Sequence, residues 1–189
     1  VSMSARNAAS LRGHFLNTAN ADWDLRGNIA KQKWDIVVLQ EIKAQEPQFP
    51  TAEVEAAGYK AAIVGQKGFN GVAFLSHHAF DVMARALPGA AEDEQARYVE
   101  GTVYTLRGPL TVGGLYLPNG NPVGTEKFAY KLTWMERLLG HARDLLAREE
   151  MFVLCGDYNV CPTDMDVFDP KGFANDALCQ PESRAAFRK

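Results

Sequence analysis

Apolar positions along the chain fall into short runs that predict β-strands. Residues 35–40 are apolar, rich in β-branched side chains and too few for a buried helix, so they predict a buried strand. Residues 61–64 and 71–76 have the same character, and the polar residues between them predict a turn. Three strands are therefore expected in the first half of the chain.

The second half predicts a hairpin, a long helix and a further strand. Residues 98–105 alternate in polarity, and Arg107-Gly-Pro109 turns the chain into a second strand that ends near Leu117. Residues 126–150 place apolar side chains at steps of three and four, which predicts a helix with one apolar, core-packing face. Residues 151–155 follow as a buried strand. Strands, a crossover helix and another strand together predict an α/β layered fold.

Length and composition narrow the class of protein. The chain has 189 residues, of which 47% are hydrophobic and 23% charged, so an intrinsically disordered chain is excluded. Without repeats, low-complexity tracts or linkers, residues 1–189 are expected to form a single domain. No apolar run reaches the ~20 residues that cross a bilayer, and the first residues lack a signal-peptide pattern. Three cysteines without zinc spacing favour a reducing compartment, so an intracellular location is expected.

The distribution of charge matters more than its total. A net charge of −3 argues against binding nucleic acid by bulk charge alone. Basic side chains predominate in residues 1–34, however, and acidic ones in residues 35–55. An enzyme that binds phosphate through a divalent cation needs acidic groups at its centre, so nucleic acid stays open as a substrate.

Candidate chemistry lies where carboxylates directly follow predicted strands. Glu41 follows the strand at residues 35–40, and Asp157 and Asn159 belong to the segment Gly-Asp-Tyr-Asn after the strand at residues 151–155. Asp157 and Asn159 point to the same side if the extended conformation persists. Ligand sites in α/β sheets collect at the carboxyl ends of strands, so these three side chains are candidates for one site. The alternatives are a solvated loop residue at Glu41 and a local Asx turn at Gly-Asp-Tyr-Asn.

Several ordered motifs resemble one enzyme family. They are Asp35-Ile-Val-Val-Leu-Gln-Glu-Ile-Lys43, Gly65-Gln-Lys-Gly-Phe-Asn-Gly-Val-Ala73, Leu115-Tyr-Leu-Pro-Asn-Gly-Asn-Pro122, Glu126-Lys-Phe-Ala-Tyr-Lys131 and Gly156-Asp-Tyr-Asn-Val160 with Pro162-Thr-Asp164. In these motifs the chain resembles the exonuclease III branch of the endonuclease/exonuclease/phosphatase superfamily, which includes bacterial-type abasic-site endonucleases. The resemblance covers most of the chain, from Trp34 to Arg188. It implies a DNase I-like α/β fold, a two-sheet β-sandwich flanked by helices in four layers (α/β/β/α).

The resemblance also implies roles for individual residues. Glu41 matches the family's metal-ligating glutamate, and Asn7 the asparagine that closes the first strand beside that metal. Tyr116 matches the tyrosine near the scissile phosphate. Asp157 matches the aspartate that positions or deprotonates the attacking water, and Asn159 the asparagine that orients the phosphate or the nucleophile.

The activity implied by the resemblance is one-step hydrolysis of a DNA phosphodiester. The expected cofactor is Mg²⁺, with Mn²⁺ as an alternative, because hard cations prefer carboxylate oxygen and water as ligands. The expected substrates are double-stranded DNA and abasic-site DNA, cleaved by 3′→5′ exonuclease action and by incision at abasic sites during DNA repair. Gln66, Lys67 and Asn70 lie in the polar turn and are candidates for DNA contact, with a solvated turn as the equal alternative.

The chain also departs from the family pattern. Arg6 and Ala9 stand where the family has an aromatic residue and a second asparagine, and residues 16–24 are longer and more polar than the family's segment. The family's later aspartate strand and closing Ser-Asp-His motif have no match, and His77 and His78 are expected at the surface. The chain is thus expected to be a family domain incomplete at its C-terminus, with a partner chain supplying the missing part if the truncation is natural.

Two functional hypotheses follow. The first is an exonuclease III-type nuclease with the roles given above. The second is a catalytically degenerate family member that serves as a structural or nucleic-acid-contacting subunit of a larger assembly. Glu41, Tyr116, Asp157 and Asn159 favour the first, whereas the departures near the first strand and the absent histidine favour the second.

Overall fold

The computed structural model describes residues 34–189 and, for the backbone, residues 13–17. It contains two four-stranded sheets, three α-helices and two short 3₁₀ helices within this range. In chain order the strands and α-helices are β1 (Gly13–Asn17), β2 (Ile36–Gln40), α1 (Thr51–Ala56), β3 (Lys60–Val64), β4 (Val72–Ser76), β5 (Phe80–Ala84), β6 (Tyr98–Thr105), β7 (Gly108–Tyr116), α2 (Glu126–Ala147), β8 (Met151–Asp157) and α3 (Pro181–Phe187). The 3₁₀ helices are Glu46–Gln48 and Asp164–Asp166.

The chain divides into two compact units. The first comprises residues up to Tyr116 together with Glu149–Asp157, and the second comprises Leu117–Arg148 and Tyr158–Lys189. All eight described strands and α1 belong to the first unit, whereas α2 and α3 belong to the second.

The first sheet of this unit has the strand order β1-β2-β4-β3. β2 runs parallel to β1 and antiparallel to β4, which also pairs antiparallel with β3. Every residue of β2 and of β4 is buried. Central strands covered on both faces read as continuous apolar runs, which explains the absence of alternation in these two segments.

The second sheet has the strand order β5-β6-β7-β8. β6 and β7 form an antiparallel hairpin, and β8 pairs parallel to β7. A parallel neighbour requires a crossover connection, and α2 lies in the chain between β7 and β8.

A continuous apolar core joins the two sheets into a sandwich. Val38 and Phe74 of the first sheet are buried in one cluster with Val99 and Val112 of the second. Gly114 allows the sheets to approach closely, because a Cβ atom added there would lie 2.6 Å from Cγ1 of Val38. A second cluster, on the other face of the first sheet, includes buried residues of β2, β3, β4 and α1.

The second unit has its own buried residues and polar ties. Trp134 and Lys131 of α2 are fully buried. The Asn121 side chain donates to Asp176 at 3.0 Å and accepts from the Ala177 amide at 2.9 Å. These bonds connect the segment before α2 with the segment before α3.

The predicted strands, hairpin and long helix are present, with three differences. α2 ends at Ala147 rather than residue 150, because Glu149 adopts a left-handed φ of 56° that cannot continue a helix. The strand predicted as buried at residues 151–155 is largely half-buried, because β8 is an edge strand. β1, β5 and α1 are additional elements without a counterpart in the sequence prediction.

Candidate active site

Glu41 lies directly after β2 in an unusual backbone conformation. Its φ is 54°, and that of Lys43 is 51°, in the left-handed region that side chains other than glycine seldom occupy. The loop is held by backbone bonds from the Ile42 amide to Gly71 O at 3.3 Å and from the Lys43 amide to Asn70 O at 3.0 Å. Strained backbone of this kind persists only where its surroundings fix it, and it clusters at ligand sites.

The Glu41 carboxylate interacts with two side chains, one with a neutral hydroxyl and one with a cationic ammonium group. The Tyr116 hydroxyl donates to its Oε1 at 2.9 Å, and the Lys43 ammonium lies 3.2 Å from its Oε2. The Glu41 side chain is 17% exposed, whereas that of Lys43 is 49% exposed. The carboxylate is thus oriented by two partners and reachable from solvent.

Tyr116 is the last residue of β7 and remains a neutral phenol. Burial raises its pKa to about 12, and the hydrogen bond to Glu41 contributes in the same direction. The Arg97 guanidinium lies 4.9 Å from the centre of the Tyr116 ring, and its Nη1 donates to Tyr116 O at 3.1 Å. The phenol therefore serves as a fixed hydrogen-bond donor at neutral pH.

Asp157 is the last residue of β8 and pairs in register with Tyr116. The Asp157 carboxylate is one of the weaker causes that raise the Tyr116 pKa. Gly156 makes this approach possible: its φ is 143°, and a Cβ atom there would lie 1.9 Å from Leu115 O. The structure thus brings together Glu41, Tyr116 and Asp157 within the first unit.

Asn159 belongs to the second unit, where its backbone turns. Its φ of 45° means that the extended conformation after Asp157 does not persist, so the condition for Asp157 and Asn159 to point to the same side is not met. The side-chain Nδ2 of Asn159 donates to Leu117 O at 2.7 Å, and the backbone carbonyl of Asn159 accepts from the Lys131 ammonium. The fully buried Lys131 also donates to Pro118 O at 3.3 Å and Asn119 O at 3.1 Å. A buried ammonium therefore fixes the loop on which Asn159 lies.

The polar turn between β3 and β4 is internally organised. Asn70 donates to Gln66 Oε1 at 3.0 Å, and the same oxygen accepts from the Ala96 amide at 3.1 Å. Lys67 is exposed. Gln66 and Asn70 thus shape the loop, and contact of these three residues with DNA stays a prediction.

The position predicted for Asn7 lies outside the described residues. On the backbone, the strand alongside β2 is β1, whose last residue, Asn17, pairs in register with Gln40, the residue before Glu41. β4 occupies the other side of β2. The strand-end position beside Glu41 is therefore that of Asn17.

Comparison with known proteins places this geometry in a family. Residues 7–187 match the sequence model of the Endonuclease/Exonuclease/phosphatase family. The chain belongs to this family. It is 31% identical over 172 residues to exodeoxyribonuclease III of Haemophilus influenzae, a match that covers 87% of this chain and 64% of that protein.

Two solved structures are similar to the chain. One is a 3′ phosphatase from Neisseria bound to a product DNA hairpin, with a TM-score of 0.81, 31% identity and coverage of 93% of this chain and 67% of that one. The other is an AP endonuclease from Archaeoglobus fulgidus, with a TM-score of 0.78, 31% identity and coverage of 87% and 62%. These similarities confirm the predicted exonuclease III resemblance and the DNase I-like fold class. The chain spans less than two thirds of the length of the curated relatives it matches.

The acidic residues fit the hard divalent cation expected in this family. Within residues 34–189, no three His, Cys, Asp or Glu side chains form a group that could hold a metal ion. Mg²⁺ nevertheless usually binds through one or two carboxylates, with water and substrate phosphate completing its octahedron. The solvent-reachable Glu41 carboxylate suits that binding mode.

Two residues of this family member were not given roles from the sequence. Arg97 precedes β6 and contacts both the ring and the carbonyl of Tyr116. Lys131 stands in the quoted motif Glu126-Lys-Phe-Ala-Tyr-Lys131, and its place on the apolar face of α2 is the signal for an internally bonded lysine.

His77 and His78 are exposed, as predicted. Among the described residues, no helix is long and apolar enough to cross a membrane.

Proposed function

We propose that this chain carries the hydrolytic centre of a DNA repair nuclease of exonuclease III type. The observation that carries the proposal is the hydrogen bond from Tyr116 to Glu41, with Asp157 in register beside Tyr116. A carboxylate, a neutral phenol and a second carboxylate then lie at the carboxyl ends of three strands. This set suits transfer of a phosphoryl group to water.

Glu41 would hold the divalent cation, Mg²⁺ or Mn²⁺, together with the asparagine at the end of the first strand. When bound, the cation supplies charge neutralisation at the phosphate oxygens. The neighbouring Lys43 ammonium, 3.2 Å from Glu41, gives the same carboxylate a cationic partner at the solvent side.

Asp157 would act as the general base. It accepts a proton from a water molecule whose oxygen attacks phosphorus opposite the 3′ oxygen of the scissile bond. The new P–O bond forms as the bond from phosphorus to the 3′ oxygen breaks, and the leaving oxygen takes a proton from solvent. The products are a 5′-phosphate and a 3′-hydroxyl.

Tyr116 would position the phosphate, and the role of Asn159 in orienting the phosphate or the nucleophile stays a prediction. The raised pKa of Tyr116, about 12, keeps its hydroxyl protonated. Its single proton, which is donated to Glu41 in this structure, would turn to a phosphate oxygen once substrate is bound. The bond from Asn159 to Leu117 O fixes the orientation of its amide. Arg97 would position Tyr116 through the ring and carbonyl contacts.

The proposed substrates are duplex DNA, degraded from its 3′ end, and duplex DNA with an abasic site, incised at that site. The names of the relatives support both, and one similar structure holds a product DNA hairpin. We further propose an intracellular location and action as one domain, since the family match at residues 7–187 spans both compact units.

A cleavage assay tests the enzymatic proposal. Labelled abasic-site duplex is incubated with the protein and Mg²⁺, or with a chelator, and the product ends are identified. We expect Mg²⁺-dependent cleavage to 3′-hydroxyl and 5′-phosphate ends, which Glu41→Ala abolishes and the exposed-helix variant Asp144→Asn leaves unchanged. Metal-independent or absent cleavage, with DNA binding retained, would instead support a degenerate nucleic-acid-contacting subunit.

A second experiment tests whether Asn17 or Asn7 is the asparagine that would help to hold the cation. Asn17→Ala and Asn7→Ala are assayed at varied Mg²⁺ concentration. Because Asn17 lies in register beside Gln40, we propose that Asn17→Ala raises the Mg²⁺ concentration for half-maximal rate at least tenfold and that Asn7→Ala does not. The reverse result would return the role to Asn7.

A further inference from the structure

Two cysteines of the second unit, Cys161 and Cys179, lie on neighbouring segments of the chain. The Cys161 amide donates to Leu178 O at 2.9 Å, which places the two residues side by side on adjacent segments. Burial, followed by the neighbouring Cys179 sulfur, raises the pKa of the Cys161 thiol. Both residues are half-buried rather than enclosed, so a small reagent can reach them.

The surrounding bonds hold this pair in place. Arg184 donates from Nε to Cys161 O at 2.9 Å. The Cys179 amide donates to Asp176 O at 3.0 Å. Arg184 is itself anchored by Asp164 at 2.8 Å. These bonds hold the backbone of both cysteines in place on the segments before α3.

The third cysteine provides an internal contrast. Cys155 lies buried in β8, and its thiol donates to Gly113 O at 3.4 Å. Burial raises the pKa of its thiol far above the usual range. A buried, protonated thiol is unreactive, because the thiolate is the attacking species.

We propose that Cys161 and Cys179 form a reversible disulfide with oxidised low-molecular-weight thiols such as glutathione disulfide. One protein thiol loses its proton and attacks the small disulfide, which gives a mixed disulfide and releases one small thiol. The second protein thiol then attacks the protein sulfur of the mixed disulfide and releases the other small thiol. Two electrons pass to the reagent, and the two thiol protons end on the two released thiols.

The proposed bond closes the loop between residues 161 and 179. A loop of this size restricts the unfolded chain enough to raise the melting temperature by about 5 °C or more. Cys161 is two residues from Asn159, so the bond also tethers the segment on which Asn159 lies. Disulfides in reducing compartments are typically transient and responsive to redox conditions.

Peptide mapping tests the inference. The protein is equilibrated with graded ratios of reduced and oxidised glutathione, blocked with an alkylating reagent and digested with trypsin without reduction. We expect a linked pair of peptides, residues 149–171 with residues 172–184, together with the rise in melting temperature. Both effects should reverse with excess reduced glutathione.

Three variants identify the sulfurs. Cys155→Ala should keep the linked pair, whereas Cys161→Ser and Cys179→Ser should each abolish it, and circular dichroism verifies that each variant is folded. Two results overturn the proposal: Cys161 and Cys179 stay separately alkylated or glutathionylated under oxidising ratios, or the linked pair survives Cys161→Ser because Cys155 supplies the sulfur.

Discussion

At the scale of single residues, the protonation state of Tyr116 carries much of the proposed chemistry. A tyrosine on a strand end is ordinary, but one that donates to a carboxylate while packed under a guanidinium is held in a single orientation. Its hydroxyl is then available to the proposed phosphate without the cost of ordering a mobile side chain.

Tyr116→Phe tests this donor. The variant keeps the ring that Arg97 contacts and loses only the hydroxyl, so the fold should be retained. Because hydrogen bonds to charged groups contribute about 1.5–3 kcal/mol, we expect kcat on abasic-site duplex to fall about 10- to 100-fold. Steady-state kinetics measure the effect, and an unchanged kcat would show that the Tyr116 hydroxyl takes no part in catalysis.

Tyr116→Phe should also change how the free energy of unfolding depends on pH. The pKa of folded Tyr116 is about 12, above the 10.0 of an unperturbed tyrosine. Its contribution to stability is full below pH 10 and is lost as the pH rises towards 12, because the unfolded phenol ionises first. Urea unfolding should show the difference between wild type and Tyr116→Phe shrinking across pH 10–12. A difference that stays constant there would contradict the raised pKa.

The buried ammonium of Lys131 leads to a second prediction, which concerns the stability of the fold. Lys131→Met keeps the length of the buried stem and removes the ammonium that three backbone carbonyls accept from. Leaving buried carbonyls without this donor should lower the free energy of unfolding by about 3 kcal/mol. Lys127→Met, exposed on the same helix, is the matched control and should change it by under about 0.5 kcal/mol. Equal effects of the two variants would refute the structural role of Lys131.

At the scale of elements, strands with continuous apolar runs were the most predictable. β2 and β4 are recognisable because both their faces are covered, and α2 because its apolar residues repeat with the helical period. β5 was missed because its residues are mostly exposed or half-buried, which removes the apolar pattern. α1 was missed because it is six residues long and buries only Val54.

The candidate site shows what local patterns can and cannot predict. Glu41 and Asp157 are predictable because each directly follows an apolar run. The turn at Asn159 is not, since it depends on the distant carbonyl of Leu117 and on Lys131. The link between Arg97 and Tyr116 likewise arises only from pairing of β6 with β7.

The close pairing of β7 with β8 at Gly156 leads to a prediction at the scale of elements. An added Cβ would meet Leu115 O at 1.9 Å, so Gly156→Ala must push β8 away from β7 next to Asp157. We expect the free energy of unfolding to fall by about 3 kcal/mol, with a large loss of activity. Gly140→Ala, in open space on α2, should instead stabilise by about 0.5–1 kcal/mol. Calorimetry compares the two, and a tolerated Gly156→Ala would contradict the tight strand pairing.

At the scale of the whole molecule, the sandwich explains why residues distant in sequence converge. One apolar core contains residues of both sheets, namely Val38, Phe74, Val99 and Val112. This core fixes the strands at whose carboxyl ends Glu41, Tyr116 and Asp157 lie. The family match covers residues 7–187 and therefore includes all the motifs quoted above. Mild net acidity is consistent with DNA as substrate when the charges near the site are neutralised by a cation.

The central claim is that Asp157 activates the water that cleaves DNA. The most direct measurement is the single-turnover cleavage rate of abasic-site duplex, with saturating protein and Mg²⁺, for wild type, Asp157→Asn and Asp144→Asn. We predict that Asp157→Asn lowers the rate by about 10²–10⁴-fold without weakening DNA binding, and that Asp144→Asn matches wild type. An Asp157→Asn rate within about threefold of wild type would contradict the account.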